Sequence, residues 1–423
     1  MDYSTRILTG LTDENLFFDT NWLEERQENN LPILVIKGQL SYTPPACTKC
    51  GVKNEGQIIK NGTHQTKTQL VPFRGKKTLL ELKRSRFLCK DCGATFNAQT
   101  ALVREKCHIS TELQLKITLD LKKNISRKEI AQEYFVSDTT VMRIMRDCVQ
   151  SFRTNFNYLP SVLCIDEFRS MNSCSNAMSF ICMDGHTKRL ISILESRRLT
   201  YLKAHFLRYP HHIRCKVKYL VMDMNAPYAQ LIKHVFPNAQ IVTDRFHIVQ
   251  QINRTFNQLR IKTMKQFKGT DKVNYRRLKR YWKLLLKNDF NVNSANYHYE
   301  RFFKRPMTEK SIIDELLSYD ETLKLAYETC QLLLCHYRRK NATLFFELIE
   351  ELDQRLPEEF RKKLTFFKKY RQGIQNAFEL TYSNGFVEGT NNKIKIIKRV
   401  AYGYRNFLNF RSRIYIIQGL IFV

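Results

Sequence analysis

Four cysteines near the start of the chain have the types and spacing of a metal site. Cys47 and Cys50 form one Cys-x-x-Cys pair, Cys89 and Cys92 form a second, and glycine directly follows each pair. Four thiolates in two tight turns suit the tetrahedral coordination of zinc, and glycine lets backbone amides approach the sulfur atoms. Alternating apolar residues between the pairs indicate strands. The sequence therefore predicts a zinc ribbon that holds one structural zinc ion.

Three carboxylates further along the chain have the types and positions of a second metal site. Asp166 follows the apolar run 161–165, Asp223 follows the run 217–222, and Glu388 lies in a stretch of helical periodicity. Carboxylates at two neighbouring strand ends, completed by one from a helix, can hold two magnesium or manganese ions about 3.5–4 Å apart. One ion activates a water or a DNA 3′-hydroxyl, and the other stabilises the leaving oxygen of a phosphodiester.

The second position of this acidic set has two candidates. Asp223 ends the fourth predicted strand, and Asp244 ends the fifth, at 240–242. We favour Asp223, because the ends of the first and fourth strands meet in the middle of the sheet in the strand order described below.

A basic, helical segment between the two metal sites is typical of a helix-turn-helix. Ser126 and Glu129 form a capping box that begins one helix, and apolar residues return at the spacing of a second helix. Phe135 stands in the turn where glycine is common. The second helix would face the major groove of DNA with Thr139, Thr140 and Arg143. Next to the second cysteine pair, further candidate DNA contacts are Lys83, Arg84 and Arg86.

The order of predicted elements defines a multidomain α+β protein. After Pro160, three strands, a helix, a strand, a helix and a strand follow in the order of an RNase H-like α/β catalytic domain. Helical periodicity without strands then predicts an all-α insertion in that domain. The predicted divisions are an acidic segment at 1–40, the zinc ribbon at 41–100, the helix-turn-helix domain at 101–155, the catalytic domain at 156–248 and 375–423, and the insertion at 249–374.

The charge of the chain points to a phosphate polymer as the partner. Its 70 Lys and Arg against 40 Asp and Glu give a net charge of +30, which argues against an enzyme for small neutral metabolites. The excess is concentrated in two blocks, +10 over residues 47–125 and +12 over residues 248–310. On the helix of Glu388, Lys395 and Lys398 are candidate phosphate contacts. A secretion signal and a membrane span are not recognisable, which predicts a cytoplasmic, nucleoid-associated protein without a membrane partner.

Several motifs together resemble one known family. They are the paired Cys-x-x-Cys ribbon, Cys-Ile-Asp166-Glu-Phe, Asp223-Met-Asn-Ala-Pro-Tyr, Asp244-Arg-Phe-His247, Asn-Gly-Phe-Val-Glu388-Gly-Thr-Asn-Asn and Ala-Tyr-Gly-Tyr-Arg-Asn406. In this order they resemble the bacterial insertion-sequence transposases of the IS-L-three (ISL3) family, which are of the DDE type. The resemblance runs from about Cys47 to Gly419. It implies that Asp166, Asp223 and Glu388 are the metal-binding triad, and that Asp244 and His247 have a structural or metal-adjacent role.

The resemblance also implies a function. A DDE transposase of this family binds the terminal inverted repeats of its insertion sequence, cuts DNA with the help of metal ions and joins the freed 3′-hydroxyl to target DNA. The resemblance further implies a homo-oligomer, a dimer or higher, because two element ends are held together. Two alternatives fit parts of the sequence: a non-catalytic DNA-binding regulator derived from a transposase, and an RNase H-like nuclease without strand joining.

Overall fold

The chain folds into two compact units that each contain helices and strands. The computed structural model describes residues 1–150, 152–174 and 177–421. One unit contains residues 1–153 together with 393–423, and the other contains residues 154–392. The prediction of a mixed α and β protein with a four-cysteine cluster near its start is confirmed. Within the described residues, no helix has the length and apolar character needed to cross a bilayer.

A six-stranded sheet forms the centre of the first unit. After helix α1 (Tyr3–Thr9), its strands are β1 (Leu16–Phe17), β2 (Leu23–Glu28), β3 (Leu31–Leu40), β4 (Ile58–Gln69), β5 (Lys77–Cys89) and β6 (Thr95–Asn97). The order is β1-β3-β5-β4, with β2 paired to β3 and β6 paired to β5. The parallel pairing of β3 with β5 joins residues 33–40 to residues 77–84. The predicted acidic segment at 1–40 and the predicted ribbon at 41–100 therefore share one sheet.

Three helices follow this sheet in the first unit: α2 (Thr111–Asp120), α3 (Arg127–Glu133) and α4 (Asp138–Gln150). The Ser126 side chain accepts a hydrogen bond from the Glu129 backbone amide at 3.0 Å, so this half of the predicted capping box is present. Phe135 adopts a left-handed backbone with φ of 53°, the conformation that usually places glycine in this turn. The apolar residues predicted to pack α3 against α4 are buried: Ile130, Ala131, Tyr134, Val141 and Ile144.

A five-stranded sheet forms the centre of the second unit. Its strands are β7 (Val162–Arg169), β8 (Met178–Asp184), β9 (Leu190–Leu194), β10 (Tyr219–Met222) and β11 (Gln240–Thr243). They lie in the order β11-β10-β7-β8-β9. β7, β8 and β9 are antiparallel neighbours, whereas β10 and β11 run parallel to β7. Four consecutive buried residues at 162–165 fit the central position of β7, because a strand covered on both faces is apolar on both.

Helices connect the later strands and then continue as a long helical segment. The connecting helices are α5 (Leu199–Phe206), α6 (His211–Arg214) and α7 (Ala226–Val235). The segment contains α8 (Arg245–Thr270), α9 (Lys272–Arg280), α10 (Trp282–Leu285), α11 (Glu309–Leu317), α12 (Glu321–Arg338), α13 (Ala342–Glu350), α14 (Glu358–Thr365) and α15 (Arg371–Glu379). Two 3-10 helices lie at Asp289–Asn291 and Phe366–Tyr370. Gly373 allows α15 to approach β11, because a Cβ there would lie 2.7 Å from Oγ1 of Thr243.

The inserted segment is not purely helical, which corrects the prediction of an all-α insertion. Between α10 and α11, β12 (His298–Glu300) and β13 (Arg305–Met307) form an antiparallel hairpin. Each of these strands has three residues, and such short strands leave no recognisable alternation in a sequence.

The last two helices are α16 (Gly385–Val400) and α17 (Phe407–Ile417). Residues up to Asn392 belong to the second unit, and residues from Lys393 belong to the first, so the C-terminal segment 393–423 groups with the N-terminal sheet and helices. In the first unit, the Arg413 guanidinium donates to the backbone oxygens of Lys123 and Ile125 at 2.9 and 2.8 Å.

Candidate functional site

Three aspartates lie at the same edge of the five-stranded sheet. Asp166 is in β7, Asp223 directly follows β10, and Asp244 directly follows β11. These three strands are parallel neighbours. Val221 pairs with Cys164, and extending this register along both strands places Asp223 level with Asp166. The register between β10 and β11 likewise places Asp244 level with Asp223. Strand register alone therefore brings the three carboxylates, which are far apart in the sequence, side by side.

His247 joins this group from the first turn of α8. Its Nε2 lies 2.7 Å from Oδ1 of Asp223 and 3.9 Å from Oδ2 of Asp244. One ligand atom from each of these three residues lies within 4.8 Å of the others, a grouping that could hold a metal ion. The Asp-x-x-His spacing explains the geometry, because Asp244 precedes the helix and a residue three positions later returns to the same side.

Burial and repulsion between carboxylates define the electrostatics of this edge. Burial, together with the nearby charge of Asp223, raises the pKa of Asp166 to about 6. Burial also raises the pKa of Asp244, and the contact with Asp223 raises the pKa of His247. Such shifts favour the protonated carboxylates, and a bound cation would stabilise their charged forms.

The N-terminal end of α16 is held against this edge by two asparagines. The Asn384 side chain donates through Nδ2 to the backbone oxygen of Ile165 at 2.9 Å. The backbone amide of Asn384 donates to Oδ1 of Asp244 at 3.2 Å. Asn391 donates through Nδ2 to Oδ2 of Asp166 at 2.8 Å. Glu388 lies four residues after Asn384 and three before Asn391, a spacing that places all three on one side of the helix.

Glu388 is exposed and lies outside the group formed by Asp223, Asp244 and His247. The structure thus brings Asp166, Asp223, Asp244 and His247 to one sheet edge and anchors the helix of Glu388 there through its neighbours.

Buried oxygen atoms at this edge fit a divalent cation. Oδ1 of Asn384 and Oδ1 of Asn391 are buried and accept no hydrogen bond from the described residues. Oδ1 of Asp223 is also buried, and Nε2 of His247 lies 2.7 Å from it. Because a buried acceptor without a donor is unfavourable, and because carboxylate and amide oxygens are ligands for hard cations, the donor set fits a hard divalent cation.

Sequence reasoning missed the network that holds the strand of Asp166. Oε1 of Glu167 accepts a hydrogen bond from the Tyr228 hydroxyl, and Oε2 lies 2.5 Å from Nη1 of Arg197. The Glu167 amide also donates to Oδ1 of Asp166 at 2.7 Å. The adjacent Asp166-Glu167 pair in the sequence could have indicated this network, because neighbouring residues in a strand point to opposite faces of the sheet.

The four cysteines of the ribbon come together as predicted. The Sγ atoms of Cys47 and Cys92 are 3.8 Å apart, as are those of Cys50 and Cys89, and all four lie within 4.8 Å of one another. Backbone amides of Cys50 and Lys49 point at Sγ of Cys47 and lower the pKa of this thiol to about 6.

The glycines after each cysteine pair have the expected backbone. Gly51 has φ of 77° and Gly93 has φ of 67°, in the left-handed region that favours glycine. Their amides donate to the carbonyl oxygens of Cys47 and Cys89 at 3.0 and 2.9 Å. Two equivalent turns therefore present four thiols to one point, the arrangement of a structural zinc site.

The predicted DNA contacts differ in accessibility. Thr139 and Arg143 are exposed, whereas Thr140 is half-buried, and its hydroxyl lies 2.9 Å from that of Ser137. Lys83 and Arg86 are exposed on β5, and Arg86 also donates to the Thr95 hydroxyl. On α16, Lys395 is exposed and Lys398 is half-buried.

Arg84, another predicted DNA contact, is hydrogen-bonded to the backbone of its own unit. It is half-buried, and its Nε donates to the backbone oxygen of Ala98 at 2.7 Å. This contact gives Arg84 a role in holding the end of the ribbon, which the sequence did not indicate.

Comparison with known proteins identifies the class of this chain. Residues 163–414 match the DDE family of ISL3 elements, described as transposase. Residues 43–92 match the zinc finger of the transposases of IS204, IS1001, IS1096 and IS1165. The first match covers more than half of the chain, so the chain belongs to the ISL3 family of transposases.

Two curated proteins are similar to the chain. It is 23% identical over 382 residues to the transposase for insertion sequence element IS1001 of Bordetella parapertussis, and the match covers 86% of this chain and 88% of that protein. It is also 38% identical over 141 residues to a protein named ATP-dependent protease from Lactococcus lactis subsp. lactis. That match covers 31% of this chain and 45% of the other protein, so the chain spans less than half of its length.

Proposed function

We propose that this transposase binds the terminal inverted repeats of its element and cuts and rejoins DNA at a two-metal site formed by Asp166, Asp223 and Glu388. The observation that carries the proposal is the strand register, which sets Asp166 and Asp223 side by side. The helix of Glu388 is anchored at the same edge through Asn384 and Asn391. These contacts join residues that are more than 200 positions apart.

The topology of the second unit supports an RNase H-like catalytic domain. Three antiparallel strands lie next to one another, and the fourth and fifth strands lie in parallel on the other side of the first. This arrangement places the first and fourth strands side by side in the middle of the sheet, with Asp166 inside β7 and Asp223 directly after β10. We assign residues 156–248 and 375–392 to this domain and residues 249–374 to its insertion, whereas residues 393–423, predicted as part of the same domain, group with the first unit.

The residues at this edge are suited to positioning metal ions and DNA. Asp166, Asp223 and Glu388 would hold two divalent ions, which supply Lewis-acid stabilisation of the attacking and leaving oxygens when bound. Asn391 orients the Asp166 carboxylate through its 2.8 Å hydrogen bond. In cleavage, a water oxygen bonds to phosphorus as the bond to the 3′-oxygen breaks. In joining, the freed 3′-hydroxyl attacks a target phosphodiester in the same way.

Asp223 is the better candidate for the second triad position, because Asp244 has other partners. Asp244 is buried, and one of its oxygens accepts a hydrogen bond from the backbone amide of Asn384, the residue directly before α16. The other oxygen faces His247 at 3.9 Å. Asp244 and His247 therefore fit a supporting role, in which His247 contacts the Asp223 carboxylate and restricts its position.

The first unit is suited to finding the element end. The α3–α4 pair supports a helix-turn-helix assignment within 101–155, with Arg143 and Thr139 exposed on the second helix. The ribbon adds exposed Lys83 and Arg86, and the net charge of residues 47–125 is +10. We assign one structural zinc ion to the four cysteines. Because an element has two ends, we further propose that the active form is a dimer or a higher oligomer, acting at the nucleoid in the cytoplasm.

Product sequencing tests this proposal. The purified protein is incubated with magnesium, an element-end duplex and a target plasmid, and the DNA products are sequenced. We expect breaks that leave a 3′-hydroxyl at the element end, and ends joined to the plasmid. Asp166→Asn serves as the control and should yield neither product. Binding of the end without cleavage by the wild-type protein would instead support a non-catalytic regulator, and cleavage without joining would support a nuclease.

A further inference from the structure

A groove of about 510 Å³ separates the α9–α10 region from the β12–β13 hairpin. It lies in the inserted segment, and none of its residues belongs to the acidic edge of the sheet. Aromatic and basic side chains predominate in its lining, which consists of Arg280, Tyr281, Lys283, Leu284, Tyr299, Glu300, Arg301 and Phe302.

Two aromatic rings of the groove face solvent. Tyr299 is 65% exposed and Phe302 is 43% exposed, and Trp282, next in sequence to the lining residues, is 39% exposed. A single exposed ring is ordinary, but neighbouring exposed rings form a patch that a partner can cover. Their flat faces are suited to stacking against other planar groups.

Two contacts join the walls of the groove and fix their relative position. The Tyr281 hydroxyl, next to α10, donates to Oε2 of Glu300 on the hairpin at 2.6 Å. The Tyr281 ring packs edge-on against Phe302, with ring centres 6.2 Å apart. The exposed rings are therefore attached to a fixed hairpin, so ordering them on binding costs little entropy.

Positive charge surrounds these rings. Arg280, Lys283 and Arg301 are exposed, and among the described residues no ion pair joins any of them to an acid. The acid of the groove, Glu300, accepts the Tyr281 hydrogen bond. Nearby Glu315 pairs with Arg305 at 2.7 Å. The basic groups in the groove thus remain available for an anionic partner.

We propose that this groove binds single-stranded DNA. Bases would stack on Tyr299 and Phe302 while Arg280, Lys283 and Arg301 contact the phosphates, the combination that sequence-tolerant single-strand sites use. In a duplex the base faces are already stacked, so exposed rings would gain nothing from it, whereas a cleaved strand that separates from its complement exposes its base faces. In this respect the inference rests on the proposed function.

Binding of labelled oligonucleotides to the full-length protein, without magnesium, tests the groove. The probes are an oligo(dT) of about 16 nucleotides and a duplex of equal length without element sequence. We expect Tyr299→Ala to weaken oligo(dT) binding about tenfold and to leave duplex binding unchanged. Tyr299→Phe keeps the ring and should bind like the wild type. Phe290→Ala is the matched control, because Phe290 is 75% exposed in the same unit and outside the groove.

Arg301→Gln provides a second test that does not depend on removing a ring. It should weaken oligo(dT) binding and lower the slope of log affinity against log salt by about 0.7. Unchanged oligo(dT) binding in both Tyr299→Ala and Arg301→Gln would overturn the proposal, and so would an equal loss for oligo(dT) and duplex. Because these assays involve no cleavage, a negative result leaves the triad to be judged by product sequencing alone.

Discussion

The four-cysteine site and the acidic edge of the sheet are assembled in different ways. The cysteines come from two short turns whose glycines have the required left-handed backbone, so each half of the site is complete within five residues. The aspartates come from three separate strands, and only the register of the sheet makes them neighbours. A site built from turns is visible in a sequence, whereas a site built from register depends on the whole fold.

The two sites also differ in the ligands that they offer. The ribbon presents four soft thiols within 4.8 Å of one another, a set that selects zinc. The acidic edge presents crowded carboxylates and amide oxygens, which suit hard cations, and burial raises the pKa of Asp166 to about 6. We therefore expect loss of the first site to affect mainly folding and loss of the second to affect mainly chemistry.

The largest expected effect is the loss of zinc from the ribbon. Cys89→Ser should abolish zinc binding and melt the ribbon end of the first unit, because a structural zinc ion contributes about 10 kcal/mol or more to folding. Cys107→Ser is the control, since Cys107 is a half-buried thiol outside the cluster. Zinc content by mass spectrometry and thermal unfolding check both variants. A full complement of zinc in Cys89→Ser would contradict the site.

The second effect separates Asp223 from Asp244. Asp223→Ala should lower the cleavage rate by about 1,000-fold or more, because metal stabilisation of the transition state is worth several kcal/mol. Its melting temperature should change little, because the lost contact with His247 is offset by relief of the repulsion between Asp223 and Asp166.

Asp244→Ala should instead lower the melting temperature, because it leaves the Asn384 amide without its acceptor, at a cost of about 1–3 kcal/mol. Cleavage assays and melting curves distinguish the two variants. Full cleavage by Asp223→Ala together with inactive but stable Asp244→Ala would exchange the two assignments.

A third, smaller effect concerns recognition of the element end. Arg143→Ala should weaken binding to the end sequence about 10- to 100-fold and leave binding to unrelated duplex nearly unchanged, as expected for a base contact. Lys128→Ala, on the exposed side of α3, is the control and should weaken both alike if it contacts phosphate. Competition binding with both duplexes measures the ratio. An equal loss on both duplexes for Arg143→Ala would remove it from the recognition surface.

The smallest effect concerns the orientation of Asp166. Asn391→Ala should weaken manganese binding about tenfold, because it removes a 2.8 Å hydrogen bond to the carboxylate. Asn392→Ala, at the adjacent exposed position, is the matched control. Titration calorimetry measures both affinities. If the two variants bound manganese equally well, Asn391 would have no part in orienting Asp166.

Much of the molecule could be predicted from local sequence patterns. The turns of the ribbon, the strand that leads to Asp166 and the buried face of α3 and α4 follow from spacing and periodicity. The hairpin at 298–307 could not be predicted, because its strands have three residues each. The role of Arg84 could not be predicted either, since its partner is a backbone oxygen that only the folded chain brings near.

The approach of Asp223 to Asp166 could be predicted from the sequence, but the contacts that support this edge of the sheet could not. Asp166 and Asp223 each follow an apolar strand pattern, whereas Glu388 lies within a helix pattern and its part in the site stays a prediction. The anchoring by Asn384 and Asn391 depends on contacts between residues 219 and 225 positions apart in the sequence. The periodicity of a single helix or strand cannot predict contacts at such separations.

The central claim is that Glu388 completes the metal site, although it is exposed and outside the cluster of Asp223, Asp244 and His247. Magnesium-dependent cleavage of an element-end duplex by Glu388→Gln, compared with the wild type at equal end binding, tests it most directly. We predict wild-type cleavage that leaves a 3′-hydroxyl and a loss of at least about 1,000-fold in the variant. Cleavage by Glu388→Gln at the wild-type rate would contradict the assignment.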